Sequence, residues 1–224
     1  MYEYEHDAAI LTARQLMAGK YIVLDTETTS LKDAEVVQIG YVLETGERDK
    51  VLVKPSKPIT PAAEAIHHIS NDMVAHEPDM YAVWQGRLRQ LFTMRTTVGY
   101  NVGFDVRALQ HSLHQYNIIW PIDETIDVML LYSAVRGVHN IATGTPKWYK
   151  LSEACAYLHI EYEGIFHDAL FDASCTRAVL EWITNEQTYW ELALDAADEL
   201  ILGKIEVAEY AKIVADVTYR KKGD

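Results

Sequence analysis

The 224-residue sequence predicts an α/β protein, a five-stranded sheet flanked by helices with further helices at its C-terminal end. Three observations lead there. Two β-favouring runs, Tyr21-Ile22-Val23-Leu24 and Val36-Val37-Gln38-Ile39-Gly40-Tyr41-Val42-Leu43, are joined by short connections to each other and to a third run near Val51. After Pro61, strand-like and helix-like segments alternate. Beyond residue 184 only helical spacing remains. The length suits one such domain with an extension, and 49% apolar residues suffice for a real core.

The elements follow in order. Residues 7–19 place Ile10, Ala13 and Met17 at helical spacing. The first strand covers about 20–26 and the second 36–43. Glu44-Thr45-Gly46-Glu47 reads as a hairpin turn into a third strand at 50–53, so the first three strands are expected as antiparallel neighbours. Pro55, Pro58 and Pro61 then interrupt regular structure, with short helical pieces at 62–66 and 71–75. A longer helix is expected over 79–94, with Trp84, Leu88, Leu91 and Phe92 on one side. Strand four covers 96–101, a helix 104–115, and strand five 125–131. Residues 136–149 read as an irregular, solvated loop that mixes aromatics with cations. Helices follow at 151–158 and 168–184, then two more broken near Gly203. In the last, Val207, Tyr210, Val214 and Val217 share a face that must pack on this chain or on a partner.

Composition excludes some classes. No run of about 18 apolar residues exists, so no membrane span is expected. The acidic N-terminus lacks the apolar region of a secretory signal. Cys155 and Cys175 have no cysteine at metal-ligand spacing and read as buried residues of a reducing compartment, hence a cytoplasmic protein. The net charge of −13 argues against clamping long duplex DNA by a broad basic surface.

The chemistry-bearing residues are acids at element ends. The first strand runs straight into Asp25-Thr26-Glu27. Alternation puts Asp25 and Glu27 on one face, about 7 Å apart along the strand. Two carboxylates so placed repel and lose hydration, and hard divalent cations are the usual remedy. Asn101-Val102-Gly103-Phe104-Asp105 sits at a strand-to-helix junction, with Asp105 in the first helical turn. His167-Asp168-Ala169-Leu170-Phe171-Asp172-Ala173 opens another helix. Helical spacing pairs Asp172 with Asp168, whereas His167 converges on it only from a preceding loop. Spacing alone leaves both partners open.

Together these motifs resemble the DEDDh group of 3′–5′ exonucleases, relatives of polymerase proofreading subunits. Asp25-Thr26-Glu27-Thr28-Thr29-Ser30-Leu31 looks like the family's Asp-x-Glu-Thr-Thr-Gly-Leu, and Asn101 to Asp105 like its Asn-x-x-Phe-Asp. His167 to Ala173 looks like its His-x-Ala-x-x-Asp-Ala, and Ile66-His67-His68-Ile69-Ser70 is similar to Val-His-Gly-Ile-Thr. Ser30 and His68 stand where the family has glycine. The resemblance spans about 20–184 and implies a ribonuclease-H-like fold with a mixed sheet. It divides the chain into an exonuclease domain, 1–184 with its short N-terminal helix, and a helical extension, 185–224.

The resemblance further implies release of nucleoside 5′-monophosphates from a 3′ end, with two ions, Mg²⁺ or Mn²⁺, roughly 4 Å apart at the scissile phosphate. Asp25 would contact both, Glu27 and Asp172 the nucleophile-side ion, and Asp105 the other. His167 would be the general base, so activity should rise through neutral pH. Thr28, Leu31, His67, Asn101 and Phe104 would line the substrate pocket. A single-stranded or frayed 3′ end is the expected partner, with DNA favoured by analogy to proofreading members. The C-terminal helices would serve polymerase docking or self-association. The alternatives are an RNA-trimming or oligoribonucleotide exonuclease and a non-catalytic docking module of the same fold.

Overall fold

A computed structural model describes residues 5–120, 124–140, 143–160 and 164–220. Residues 141 and 142 of the expected loop, and the side chain of Val217, lie outside the described residues. The order is α1 (His6–Met17), β1 (Tyr21–Thr28), β2 (Val36–Leu43), β3 (Arg48–Leu52), α2 (Pro61–His67), α3 (Asn71–Val74) and α4 (Met80–Val83). A π-helical turn (Trp84–Leu88) leads to α5 (Arg89–Phe92), β4 (Thr96–Gly99), α6 (Gly103–His114), β5 (Thr125–Asp127) and α7 (Val128–Arg136). The chain ends with α8 (Leu151–Tyr157), α9 (Ala169–Asn185), α10 (Tyr189–Ile201) and α11 (Val207–Arg220).

The five strands form one mixed sheet in the order β3-β2-β1-β4-β5. The hairpins make β1, β2 and β3 antiparallel, whereas β1, β4 and β5 run parallel. β1 is central, so Tyr21, Ile22, Val23 and Leu24 are all buried. One face is covered by α1, α7 and α9, whose core includes Ile10, Tyr132 and Leu180. The other is covered by α6 and the helices before β4, with Trp84, Leu109 and Leu113. No helix among the described residues is long and apolar enough to cross a membrane. Both cysteines are buried, as expected.

Two elements differ from expectation by more than a residue or two at their ends. The helix expected over 79–94 ends at Phe92 and carries the π turn, although Trp84, Leu88 and Phe92 still share the core. The fifth strand stops at Asp127, and Val128 starts a helix. The apolar run after Asp127 is buried, and burial on all sides erases the periodicity that separates strand from helix. The Asp127 carboxylate decides the matter by accepting the Met129 N–H at 3.0 Å, an N-cap.

The first turn of α10 is fastened to α1. Arg14 pairs with Glu191 at 2.7 Å, the Tyr189 N–H donates to Asp7 at 2.8 Å, and the Tyr189 ring stacks on His6. Gly203, at φ 67°, turns the chain between α10 and α11, where the break was expected.

Candidate active site

The parallel strands β1, β4 and β5 present their carboxyl ends on one side, where ligands of such sheets gather. β1 delivers Asp25 and Glu27 there, and the β4–α6 junction delivers Asn101 and Asp105. Asp105 is buried in the first turn of α6, and its Oδ1 accepts the Thr26 N–H at 2.9 Å and the Thr26 hydroxyl at 2.7 Å. Asn101 adopts a left-handed conformation (φ 59°), which its N–H donation to Asp127 at 2.9 Å supports.

α9 arrives from the far end of the chain, and β2 docks it. Gln38, opposite Glu27 in the sheet, accepts the Ala169 N–H at 2.8 Å. Gly40, opposite Asp25, lies so close to α9 that a Cβ there would fall 2.2 Å from the Ala169 carbonyl carbon. A polar residue and a glycine inside an otherwise apolar strand thus set the distance between Asp172 and the β1 acids. Neither residue belongs to the sequence motifs, although a glycine within a buried strand signals close backbone approach.

The third motif resolves at this junction. His167 precedes the helix in a left-handed conformation (φ 70°), and its N–H donates to Asp172 Oδ2 at 3.0 Å. Glu27, His167 and Asp172 each offer a ligand atom within 4.8 Å of the others. Asp168 turns away. It caps α9 by accepting the Phe171 N–H at 3.2 Å, and it ion-pairs with Lys50 of β3.

One cavity of about 510 Å³ collects Asp25, Glu27, Asp105, His167 and Asp172. Thr28, Leu31, His67, Asn101 and Phe104 line it too. Leu31 stands 87% exposed at the rim, so core packing does not explain it, whereas Phe104 is half-buried against the core. His67 is chiefly a brace. Its Nδ1 accepts the Ile69 N–H at 3.0 Å while Nε2 donates to the Thr28 carbonyl at 3.2 Å, and burial lowers its pKa.

The electrostatics are those of a cation site. Burial, followed by Asp105, Asp172 and Glu27, pushes Asp25 well above the carboxylate range. Burial and Asp172 push Glu27 up to about 8. Burial raises Asp105 to about 7 against the two Thr26 hydrogen bonds, and Asp172 to about 6 against the His167 N–H. Asp172 Oδ1 is buried with no hydrogen-bond partner. Four crowded carboxylates, one with an orphaned oxygen, fit a hard divalent cation.

Comparison with known proteins agrees. The RNase_T family model, described as Exonuclease, matches residues 22–180. The chain is 32% identical over 177 residues to the uncharacterized exonuclease CP81 of Escherichia phage 186, covering 75% of this chain and 90% of that protein. It is 26% identical over 222 residues to the DNA polymerase III subunit epsilon of Haemophilus influenzae, covering 91% and 83%. Among solved structures, Exonuclease X in complex with 5′ overhanging duplex DNA matches with a TM-score of 0.55 at 26% identity, over 74% of this chain and 91% of that one. E. coli Exonuclease I in complex with a dT13 oligonucleotide shares the fold, with a TM-score of 0.62 at 21% identity, over 75% of this chain and 42% of that longer one. The ribonuclease-H-like expectation therefore holds.

Proposed function

This chain belongs to the RNase_T exonuclease family and is a 3′–5′ exonuclease, and we propose that it degrades DNA from the 3′ end through a two-metal site with His167 as base. The observation that carries this reading is the convergence of Asp25, Glu27, Asp105, His167 and Asp172 in one cavity, with Asp172 Oδ1 unpartnered. The choice of DNA rests on the DNA complex of Exonuclease X and on the epsilon subunits among the relatives.

Asp25, Glu27, Asp105 and Asp172 would hold the ions. Bound Mg²⁺ or Mn²⁺ supplies Lewis acidity and neutralises charge at the scissile phosphate. Leu31 at the rim and Phe104 in the wall would bracket the terminal base, with Thr28 and Asn101 beside its sugar. The neutral imidazole of His167, exposed at the edge of the acid cluster, takes the proton of the attacking water. Water oxygen bonds to phosphorus, the bond to the 3′ oxygen of the penultimate nucleotide breaks, that oxygen takes a proton from solvent to become the new 3′ hydroxyl, and a nucleoside 5′-monophosphate leaves. Asp172 holds the His167 backbone in place meanwhile. The helices α10 and α11, with Trp190, Leu194 and Ile201 exposed, are the part we assign to polymerase docking or self-association.

The test is a labelled-oligonucleotide assay with Mg²⁺ or Mn²⁺, using matched DNA and RNA blocked at either end. Mononucleotides should appear from unblocked DNA and from 5′-blocked DNA, and EDTA should abolish them. Release from 3′-blocked strands would overturn the polarity, and faster release from RNA would overturn the substrate.

Metal and pH should be linked in stability as well. The folded pKa values of Glu27, Asp105 and Asp172 lie at about 8, 7 and 6, against about 4 in the unfolded chain. The metal-free native state therefore holds protons that the unfolded chain has released. That stabilisation is complete below pH of about 4 and is lost as pH rises through 6 to 8. In EDTA the melting temperature should fall between pH 5.5 and 8.5, and Mn²⁺ should restore most at the alkaline end. A metal-induced shift that is the same at both pH values would contradict the site.

A further inference from the structure

The catalytic cavity is continuous with a second groove of about 620 Å³, with Tyr100, Asn101, Leu151, His167 and Asp172 lining both. Trp148 and Lys150 also line the groove. Trp148 is 52% exposed, yet its backbone is held on both flanks. The Lys147 N–H donates to the Val138 carbonyl at 2.8 Å, and the Lys150 N–H to Glu153 at 3.0 Å. Tyr149 anchors the segment. It is buried, its carbonyl accepts the Tyr100 hydroxyl at 2.8 Å, and its ring meets Tyr132 edge-on at 5.3 Å. The Arg136 guanidinium lies 5.3 Å from the same ring. An indole open to solvent on a fixed backbone is preorganised for a flat apolar ligand.

We infer that Trp148 is a stacking platform for a base of the strand immediately 5′ of the scissile phosphate, with Lys150 beside it for the backbone. This rests on the exonuclease reading of the adjoining site. The strand must continue past Asp172 and His167, and this groove shares those two residues together with three more of the cavity wall. A neighbouring groove of about 490 Å³ is lined by Arg48, Lys50 and His68. There Lys50 is taken by Asp168, and Phe166 and Phe171 pack on each other at 5.1 Å. A chain of net charge −13 gains little from a broad phosphate-binding surface, whereas stacking is open to every base and needs no charge.

The test pairs enzyme variants with abasic substrates. Loss of one stacked base costs roughly 5- to 150-fold in affinity. An abasic residue at the second or third position from the 3′ end should lower wild-type kcat/KM by that factor. Trp148→Ala should lose the same factor on the intact strand and become insensitive to the abasic residue. Trp148→Phe should recover part of it, and Arg48→Ala should match the wild type. Anisotropy titrations of a fluorescein-labelled strand with Ca²⁺ read binding without turnover, so the platform is tested even where no nucleotide is released. Inactive wild-type enzyme would count against the exonuclease reading alone. Losses from Trp148→Ala and the abasic residue that multiply, no abasic sensitivity at either position, or a larger loss from Arg48→Ala would each overturn the platform.

Discussion

Asp172→Asn is expected to cut nucleotide release by roughly 10³-fold, while Asp168→Ala keeps activity within about fivefold of wild type. The two acids sit one helical turn apart at the start of α9, and spacing alone does not rank them. Their surroundings do. Asp172 is buried among Asp25, Glu27 and Asp105 with one oxygen unpartnered, whereas Asp168 is one-third exposed, caps the helix and pairs with Lys50. Asparagine keeps the shape of Asp172 and still accepts the His167 N–H, so only the charge that would hold a cation is lost. Losing one such ligand forfeits several kcal/mol of transition-state stabilisation, and about 4 kcal/mol is the quoted thousandfold. Asp168→Ala removes an N-cap, about 0.5–2 kcal/mol of stability, and a partly exposed ion pair of about 0–1 kcal/mol. It should lower the melting temperature and leave the chemistry.

The melting behaviour separates the two further. Asp172 costs the metal-free protein stability, because its buried charge has no partner beyond one N–H. In EDTA at pH 8, Asp172→Asn should therefore melt no lower than wild type, and mid-transition Mn²⁺ should stabilise it less. A site that gains stability on losing its charge is the expected signature of function held against stability. Equal activity loss from both substitutions, measured as initial rates on a labelled strand, would place the third motif wrongly.

Much of this site was legible in the sequence, for a physical reason. Acids at the ends of buried strands and in the first turns of helices conflict with burial unless something compensates them. Asp25, Glu27, Asp105 and Asp172 stand out against Tyr21-Ile22-Val23-Leu24 and Leu109 on those grounds, and the family resemblance joined them. Elements with clear periodicity, such as β1 and α6, were equally plain. Where a segment is buried on all sides, pattern fails, and Val128 to Leu131 has the apolar run of a strand although Asp127 caps a helix there. The partner of Asp172 stays open between Asp168 and His167 on spacing alone, because the backbone of His167 at φ 70° breaks the helical arithmetic. The docking of α9 on Gln38 and Gly40 spans about 130 residues of sequence and leaves no local mark beyond a polar residue and a glycine in an apolar run.

That docking makes Gly40→Ala the second large expected effect, about a hundredfold or greater loss of turnover from a residue that touches neither metal nor substrate. A methyl at Gly40 would meet the Ala169 carbonyl carbon and Leu170 nitrogen at 2.2 Å and the Ala169 oxygen at 2.4 Å. These are backbone atoms of the first turn of α9, so no rotamer change relieves the clash and the helix end must retreat by an ångström or more. Asp172 and His167 would move with it, away from Asp25 and Glu27 on β1. A misplacement of about 1 Å costs on the order of 10²-fold in rate, and overpacking costs about 1–3 kcal/mol of stability. Gly86→Ala is the control, since a Cβ there meets nothing within 4 Å, and it should leave rate and melting temperature near wild type. The measurement is kcat together with Mn²⁺ affinity, on protein whose circular dichroism shows the helices intact. Gly40→Ala at near-normal rate would mean that the acids do not depend on how closely α9 approaches the sheet, and the geometric basis of the site would fail with it.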